Sequence, residues 1–337
     1  MVTWERDVTL RSGETMRVRC VEPPDEEYLR KLRDFLSHKG RPWFEDILAR
    51  LRGERAAHSA DFFFVGEMGG EVVGHIWYTV PRDTQDVGTL GHVYTRPDQR
   101  GKGICHALME AIVESFKGHG GEAMFLSTGN PQAIRIYEHF GFRKYNPPEG
   151  EGGIYRWLVV RDFDERHFAY TGKPQIREAN WGDLPRFEAL YNCPHPWLLR
   201  DYSLGVYRDT PFESQFLQMM KDAESEWGAM FVMSTRQNHV VGAARVVPGR
   251  SRWEEHVATL EFFVHPNYFV DLQDLLSRAA EAARDLCDIL RAFAPESDKE
   301  RHEPLRELGF EMTAVLENQY RIDGKDVDLL VYTLTFM

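Results

Sequence analysis

A basic segment with two glycines, Arg100-Gly101-Lys102-Gly103-Ile104-Cys105, has the residue types and spacing of an anion-binding turn. An apolar strand-like segment, Val93-Tyr94-Thr95, precedes it, and an amphipathic helical pattern begins within it. Backbone N–H groups in the first turn of a helix lack intrahelical partners, and the helix dipole adds positive charge there. The glycines leave the backbone accessible and the two basic side chains add full charges, so the segment predicts a phosphate site.

A second segment, 130–142, predicts a short capped helix with a candidate proton donor on it. Asn130 followed by Pro131 is typical of a helix start, and Gly141 is typical of a helix end. Tyr137 lies on this helix, and its hydroxyl is neutral at pH 7 and can donate a proton. Packing on a sheet is the purely structural interpretation of Tyr137, as capping is of Asn130.

Both segments resemble the signatures of the GNAT N-acetyltransferases. The first segment contains neither the nucleoside-triphosphate loop G-x-x-x-x-G-K-[ST] nor the dinucleotide motif G-x-G-x-x-G. It is similar instead to [Q/R]-x-x-G-x-[G/A], the coenzyme A pyrophosphate loop of that family. Cys105 is the small residue at the last position of this pattern. The second matches N-x-x-A-x-x-x-Y-x-x-x-G-F at every defined position. The resemblance implies acetyl-CoA as the cofactor, Asn130 as a contact to its arm, and Tyr137 as the general acid that protonates the departing thiolate.

The resemblance also implies which residues contact the cofactor. The strand before the basic turn is the one whose backbone pairs with the pantetheine arm, as peptide ligands pair with sheet edges. The expected cofactor-binding residues are Val93, Tyr94, Thr95, Arg100, Gly101, Lys102, Gly103, Ile104, Cys105, Asn130 and Tyr137.

The general base is less clearly marked. Many members of the family carry a glutamate on this strand about six residues before the proline, where this chain has Gly91. The adjacent His92 titrates near neutrality and is the candidate catalytic base. His75, a glutamate of the early helices (Glu26 or Glu27) and a water chain are the alternatives.

Composition indicates the class of protein. With 337 residues two domains are expected, and 42% hydrophobic and 28% charged residues are typical of a globular protein. A net charge of −12 argues against a general nucleic-acid binder, and no apolar run predicts a membrane span or a signal segment. Four scattered cysteines without zinc spacing predict reduced thiols, no metal site and a cytoplasmic location.

The chain repeats itself at about half its length. Gly74 and Gly242 are 168 residues apart, as are two Gly-Phe pairs, and two prolines that follow apolar strands are 169 apart. Three features at nearly one offset indicate a duplication. We therefore predict tandem GNAT-like domains, a catalytic one at 1–165 and a degenerate, non-catalytic one at 172–337.

Each half is predicted to be α/β of the α+β type, with a mixed, largely antiparallel central sheet flanked by helices, as the resemblance also implies. In the first half the pattern predicts strands near 15–21, 61–67, 71–81, 87–95, 123–128, 140–145 and 153–160, and helices near 25–37, 41–53, 103–117 and 131–139.

The second half has lost both chemical segments. Its counterpart of the basic turn, 266–272, contains neither glycine nor a basic residue, and Asp271 there would repel a phosphate. Counting back from the Gly-Phe pair places Leu305 where Tyr137 stands. The apolar helix pattern is retained, so this half is expected to fold and to support the first.

The expected function is direct transfer of an acetyl group from the CoA thioester to a primary amine, small-molecule or peptide. An acyl-CoA-binding sensor without turnover is the competing hypothesis, motivated by Gly91. Glu45, Asp46, Glu149 and Glu151 are expected either to form an acidic rim suited to an amine or to be solvated loop residues. The acceptor, the acyl chain length and the choice between monomer and homodimer stay open.

Overall fold

The computed structural model describes residues 1–150, 152–225 and 228–336. The chain folds as two compact units, which are called the N-terminal and the C-terminal unit below. The N-terminal unit comprises Met1–Phe163 and Trp181–Glu188, and the C-terminal unit comprises Asp164–Asn180 and Ala189–Met337. No helix in the described ranges is long and apolar enough to cross a membrane.

The N-terminal unit is built on one mixed sheet. Its elements are β1 (Val2–Thr9), β2 (Thr15–Val21), α1 (Glu26–Phe35), α2 (Trp43–Leu51), β3 (Ser59–Met68), β4 (Glu71–Pro81), β5 (Val87–Thr95), α3 (Ile104–Gly118), β6 (Ala123–Thr128), α4 (Pro131–His139), β7 (Arg143–Asn146) and β8 (Gly153–Leu158). Among the described residues the sheet has eight strands in the order β1-β2-β3-β4-β5-β6-β8-β7. Neighbouring strands are antiparallel except β5 and β6, which pair in parallel.

Helix α3 covers one face of this sheet. Its apolar stripe is buried as the sequence pattern predicts, and it packs with Ile76, Tyr78 and Val80 of β4 in the main hydrophobic core. The approach is close at Gly74, where a Cβ would lie 2.4 Å from Cγ2 of Ile104. The glycine at this position therefore lets the first turn of α3 sit against the centre of the sheet.

A buried ion network anchors α2 to strands β3 and β4. Nε of Arg50 donates to Asp46 at 2.6 Å, and Nη1 of Arg50 donates to Asp61 on β3 at 2.9 Å. The indole Nε1 of Trp77 on β4 donates to the same Asp61 oxygen at 3.0 Å. Buried charges are tolerated only when they are paired and hydrogen-bonded, so this network fixes the helix and the indole together.

The chain from Phe163 onward repeats the same plan. Its elements are α5 (Phe163–His167), β9 (Gln175–Glu178), α6 (Leu184–Asn192), β10 (Leu199–Asp201), β11 (Val206–Tyr207), α7 (Gln215–Ala223), β12 (Ala229–Ser234), β13 (Val240–Pro248), β14 (Val257–Val264), α8 (Leu272–Ala283), β15 (Ile289–Pro295), α9 (His302–Glu307), β16 (Glu311–Ile322) and β17 (Lys325–Thr335). Its larger sheet has the strand order β16-β17-β15-β14-β13-β12-β9.

Seven of the described strands follow one order in both sheets. The run β2-β3-β4-β5-β6-β8-β7 corresponds to β9-β12-β13-β14-β15-β17-β16. The parallel pair stands at the same place in each sheet, β5 with β6 and β14 with β15. The expected fold class, mixed and mostly antiparallel sheets flanked by helices, is confirmed. The internal repeat of the sequence therefore corresponds to a repeat of topology.

Candidate active site

Strand β5 carries a bulge at the centre of the candidate site. His75 of β4 pairs with Tyr94 and Trp77 pairs with Gly91, so β5 has one more residue than β4 between these two pairs. His92 lies in this interval with a φ of 55°, a left-handed conformation that is unusual for a residue with a side chain. A bulge of this kind bends the strand and changes the direction of its side chains.

Beyond the start of β5, its edge toward β6 is open. Strand β6 pairs with β5 only from Val87 to Thr89, opposite Ala123–Phe125. In the described part of the chain, Leu90–Thr95 pairs with β4 but not with β6. This open edge includes all three strand residues predicted to bind the cofactor arm, and an edge that is not paired with β6 suits an extended ligand with amides of its own.

The basic turn ends at the N-terminus of α3. Gly101 and Gly103 have φ values of 82° and 93°, and Gly103 occupies the cap position without a side chain to accept the helical N–H groups. A Cβ at Gly101 would meet no atom within 4 Å, so the backbone there faces open space. The turn therefore presents uncapped donors and the positive end of a 15-residue helix to an anion.

The charged residues of the turn already have neighbours that the sequence did not predict. Nζ of Lys102 lies 2.8 Å from a carboxylate oxygen of Glu14, and Nε of Arg100 donates to the carbonyl of Thr95 at 3.2 Å. A Cβ at Gly103 would lie 3.4 Å from Cγ of Arg11. Arg11 and Glu14 belong to the turn between β1 and β2, so this hairpin borders the predicted phosphate site.

Cys105 in the first turn of α3 is a protonated thiol. Burial raises its pKa to about 12. A thiol is nucleophilic only as the thiolate, so Cys105 is unsuited to form an acyl-enzyme at neutral pH. All four cysteines are free, as expected.

Helix α4 carries the other two predicted residues. Oδ1 of Asn130 accepts from the N–H groups of Gln132 at 2.9 Å and of Ala133 at 3.4 Å, so Asn130 does cap the helix. Tyr137 is 3% exposed, and its ring centroid lies 6.0 Å from that of Phe142. The contacts of both side chains with a cofactor stay predictions.

The His92 imidazole lies between two indoles. Its ring centroid is 5.0 Å from that of Trp77 and 5.8 Å from that of Trp43, and its buried Nε2 has no hydrogen-bond partner within the described residues. Burial lowers the pKa of His92 well below its usual value, and the charge of Lys39 lowers it further. The side chain is therefore a neutral imidazole at physiological pH, with an unused nitrogen.

Gly91 faces the same indole. A Cβ at this position would lie 3.3 Å from Cζ3 of Trp77 and 3.4 Å from Cε3. A side chain at position 91 would therefore begin in tight contact with this indole, which would have to shift slightly.

His75, the alternative base, holds the bulge in place. It is fully buried, and its Nδ1–H donates to the carbonyl of His92 at 3.1 Å. Burial lowers the pKa of His75 to about 4. The geometry makes His75 a positioning residue for β5.

The expected acidic rim is wrong for Asp46, which is buried and bonded to Arg50 because the two residues lie one helical turn apart. Glu45 is exposed and pairs with Arg41 at 3.0 Å, and Glu149 is exposed. Glu151 lies outside the described residues.

Glu27, one of the two glutamates named as an alternative base, is exposed and its carboxylate lies 2.7 Å from Nζ of Lys31.

The C-terminal unit differs at the corresponding positions. Strands β13 and β14 pair without a register shift from Gly242 to Pro248, so the bulge of β5 has no counterpart there. Nε of Arg245 donates to the buried Glu261 at 2.8 Å. Leu305 on α9, the counterpart of Tyr137, is fully buried and has no group that could donate a proton.

Comparison with known proteins supports the resemblance. Residues 27–142 match the model of the acetyltransferase (GNAT) family. The chain is 33% identical over 109 residues to an L-methionine sulfoximine/L-methionine sulfone acetyltransferase of Pseudomonas aeruginosa, a match that covers 31% of this chain and 63% of that relative. It is 29% identical over 119 residues to a mycothiol acetyltransferase of Streptomyces bingchenggensis, covering 34% of this chain and 33% of the relative. The chain thus spans less than two thirds of the length of these relatives.

Two solved structures are similar to about half of the chain. One is a GNAT superfamily phosphinothricin acetyltransferase from Sinorhizobium meliloti in complex with AcCoA, at 16% identity and a TM-score of 0.42, over 49% of this chain and 89% of that one. The other is yncA of Salmonella typhimurium with its cofactor acetyl-CoA, at 20% identity and a TM-score of 0.43, over 49% and 95%. The family-model match and the named relatives support the expected class, an acyltransferase of the GNAT type, whose family cofactor is acetyl-CoA.

The low pKa of His75 predicts how stability changes with pH. The folded protein keeps His75 neutral down to about pH 4, whereas the unfolded chain protonates it near pH 6.5. The unfolded state then binds more protons, so His75 makes the folded state less stable as the pH falls from about 6.5 toward 4. The measurement is the free energy of unfolding in urea at pH 7, 6 and 5. In wild type, His75 should contribute a decrease of up to ~1.4 kcal/mol per pH unit, and His75→Gln should lack this contribution.

His119→Gln, which replaces an exposed histidine in the same way, is the control. Equal pH dependence for wild type and His75→Gln would contradict a neutral, buried His75.

Proposed function

We propose that the N-terminal unit is an acetyl-CoA-dependent N-acetyltransferase that transfers an acetyl group directly to a primary amine. The observation that carries the proposal is the open edge of β5 beside the uncapped N-terminus of α3. The edge of β5 suits the amide groups of an extended arm, and the N-terminus of α3 suits a phosphate. Acetyl-CoA contains both, and when bound it supplies the acetyl thioester.

The residues present fit this cofactor. The backbone of Val93–Thr95 would pair with the pantetheine arm, and the turn Arg100–Cys105 would hold the pyrophosphate. The open space beside Gly101 supports the second assignment. Asn130 keeps its oxygen for the helix cap, so its side-chain NH₂ is the group that would reach the arm.

The chemistry needs one proton donor and one proton acceptor. The amine nitrogen forms a bond to the acetyl carbon while the carbon–sulfur bond breaks, the amine loses one proton, and the leaving thiolate takes one. Tyr137 would donate the proton to the sulfur, and the neutral Nε2 of His92 would accept the proton of the amine. The high pKa of Cys105 supports direct transfer without an acyl-enzyme.

The C-terminal unit is proposed to be a non-catalytic relative of the first, with domain limits at 1–165 and 172–337. Its counterpart of the basic turn contains Asp271 and no basic residue, and Leu305 stands in the place of the proton donor Tyr137. The acceptor is proposed to be a small molecule, since one relative is named for L-methionine sulfoximine and L-methionine sulfone.

Calorimetry with acetyl-CoA tests the binding site. Gly103→Glu adds a negative charge and a side chain where the phosphate is expected, so the affinity should fall by about tenfold or more. Gly120→Glu adds the same charge at a second left-handed glycine, beyond the other end of α3, and should bind as wild type does. Absence of wild-type binding, or equal loss in both variants, would contradict the proposed site.

Tyr137→Phe tests the general acid. Loss of the proton donor should lower turnover by about 100-fold with unchanged affinity for acetyl-CoA, measured as thiol release with a panel of amines. Tyr78→Phe removes a buried hydroxyl that bonds to Ser115 and should keep wild-type turnover. Full activity of Tyr137→Phe would remove Tyr137 from the mechanism, whereas acetyl-CoA binding without thiol release from any amine would favour the sensor.

His92→Gln tests the base. The variant should lose about 100-fold in turnover and retain its affinity for acetyl-CoA. In wild type the acid limb of the pH profile that belongs to His92 should lie below pH 6.5, because its pKa is lowered, and the variant should lack this limb. His119→Gln is the matched control. An unchanged profile in His92→Gln would show that the imidazole is structural and that another group takes the proton.

A further inference from the structure

Lys39, in the segment between α1 and α2, has no counterion among the residues that the structure describes. Its backbone N–H donates to the carbonyl of Leu36 at 2.9 Å, which ties the residue to the end of α1. Its side chain is partly buried, and burial lowers the pKa of its ammonium group. None of the described residues supplies a carboxylate within ion-pair distance of it. A partly desolvated ammonium group without a partner is unfavourable, which is unusual for a residue of purely structural role.

The residues around Lys39 hold this segment against the bulge of β5. The ring of His38 lies 3.9 Å from that of Tyr94, and the ring of Phe35 lies 5.1 Å from it. After Lys39 the chain reaches Trp43, which contacts His92. Lys39 is therefore fixed between contacts to two residues of the candidate site.

The charge of Lys39 acts on the imidazoles of this site. It lowers the pKa of His38 and His75, and among charged groups it has the largest effect on the pKa of His92. Two polar atoms in the same cluster, Nε2 of His75 and Nε2 of His92, are buried and have no hydrogen-bond partner in the described ranges. The cluster thus combines an unpaired cation with unused nitrogen atoms.

The nearby acidic side chains are already engaged. Asp46 and Asp61 both accept from Arg50, and Asp61 also accepts from Trp77 and from Ser59. These bonds hold the two carboxylates in the ion network of α2, so neither of them neutralises Lys39.

From this cluster of groups we infer that the acceptor carries a carboxylate close to its amine, and that Lys39 binds this carboxylate. The inference rests on the proposed function and specifies its substrate class as an amino acid. The amine would lie at Nε2 of His92. The aromatic rings of Phe35, Tyr94, Trp43 and Trp77 would surround an apolar side chain. A charge-assisted bond at a partly buried site discriminates strongly against an acceptor without the carboxylate.

A comparison of matched acceptors tests the inference on the wild-type protein. L-Phenylalanine, L-leucine and their C-terminal amides differ within each pair only in the carboxylate, and thiol release from acetyl-CoA measures their acetylation. The free acids should exceed their amides by about tenfold or more in kcat/KM, mainly through KM. Acetylation of acids and amides at equal kcat/KM would overturn the inference and leave the proposed function standing. Thiol release from no amine at all would instead overturn the proposed function.

Lys39→Met then tests the residue itself. The variant should lose the preference for the acids through a raised KM and keep its affinity for acetyl-CoA. Lys39→Arg should retain most of the preference. Lys117→Met, at an exposed lysine of the last turn of α3, is the matched control and should behave as wild type. A preference for the acids that survives in Lys39→Met would assign carboxylate recognition to another group, and acetyl-CoA binding by calorimetry verifies that each variant is folded.

Discussion

The bulge of β5 at His92 is the constraint on which the candidate site depends. A left-handed conformation at a residue with a side chain is unfavourable, and it persists only where the surroundings enforce it. Here the buried His75 donates to the carbonyl of His92, and two indoles hold its ring. The extra residue bends β5 beyond the point where its pairing with β6 ends. The bulge therefore lies in the open edge of the strand, and His92, whose Nε2 is unused, is part of it.

The ion network beneath α2 extends this constraint to the acceptor side. Asp61 fixes the indole of Trp77, and Trp77 in turn packs on both Gly91 and His92. A side chain at position 91 would begin in tight contact with that indole, so Trp77 links this position to the network around Arg50. The glycine at position 91 thus packs against an indole that the network holds, and the imidazole of His92 follows it in the strand.

Local signals were enough to predict the elements that frame the site. Helix α4 has its limits as predicted because a cap and a terminal glycine mark its ends, and β4 and β5 are bounded by turn residues. Strand β1 was not predicted, because it is an exposed edge strand in which Trp4 and Val8 are the only partly buried residues and give no alternating pattern. No sequence pattern marked Arg11, Glu14 or Lys39 as residues near the site either. Their positions at the site depend on tertiary contacts of the segments that hold them.

The two units share the elements of the fold and differ at the candidate site. Both keep the strand order, the parallel pair and the long helix. The cross-strand register makes Glu261 the counterpart of Gly91, and Arg245 that of Trp77, so the C-terminal unit has a glutamate at this register position. Arg245 binds that glutamate in the interior, and β14 runs past it without a bulge. If the C-terminal unit is non-catalytic, as proposed, its glutamate differs from His92 in two respects: it lies on a strand without a bulge, and a neighbouring cation holds it.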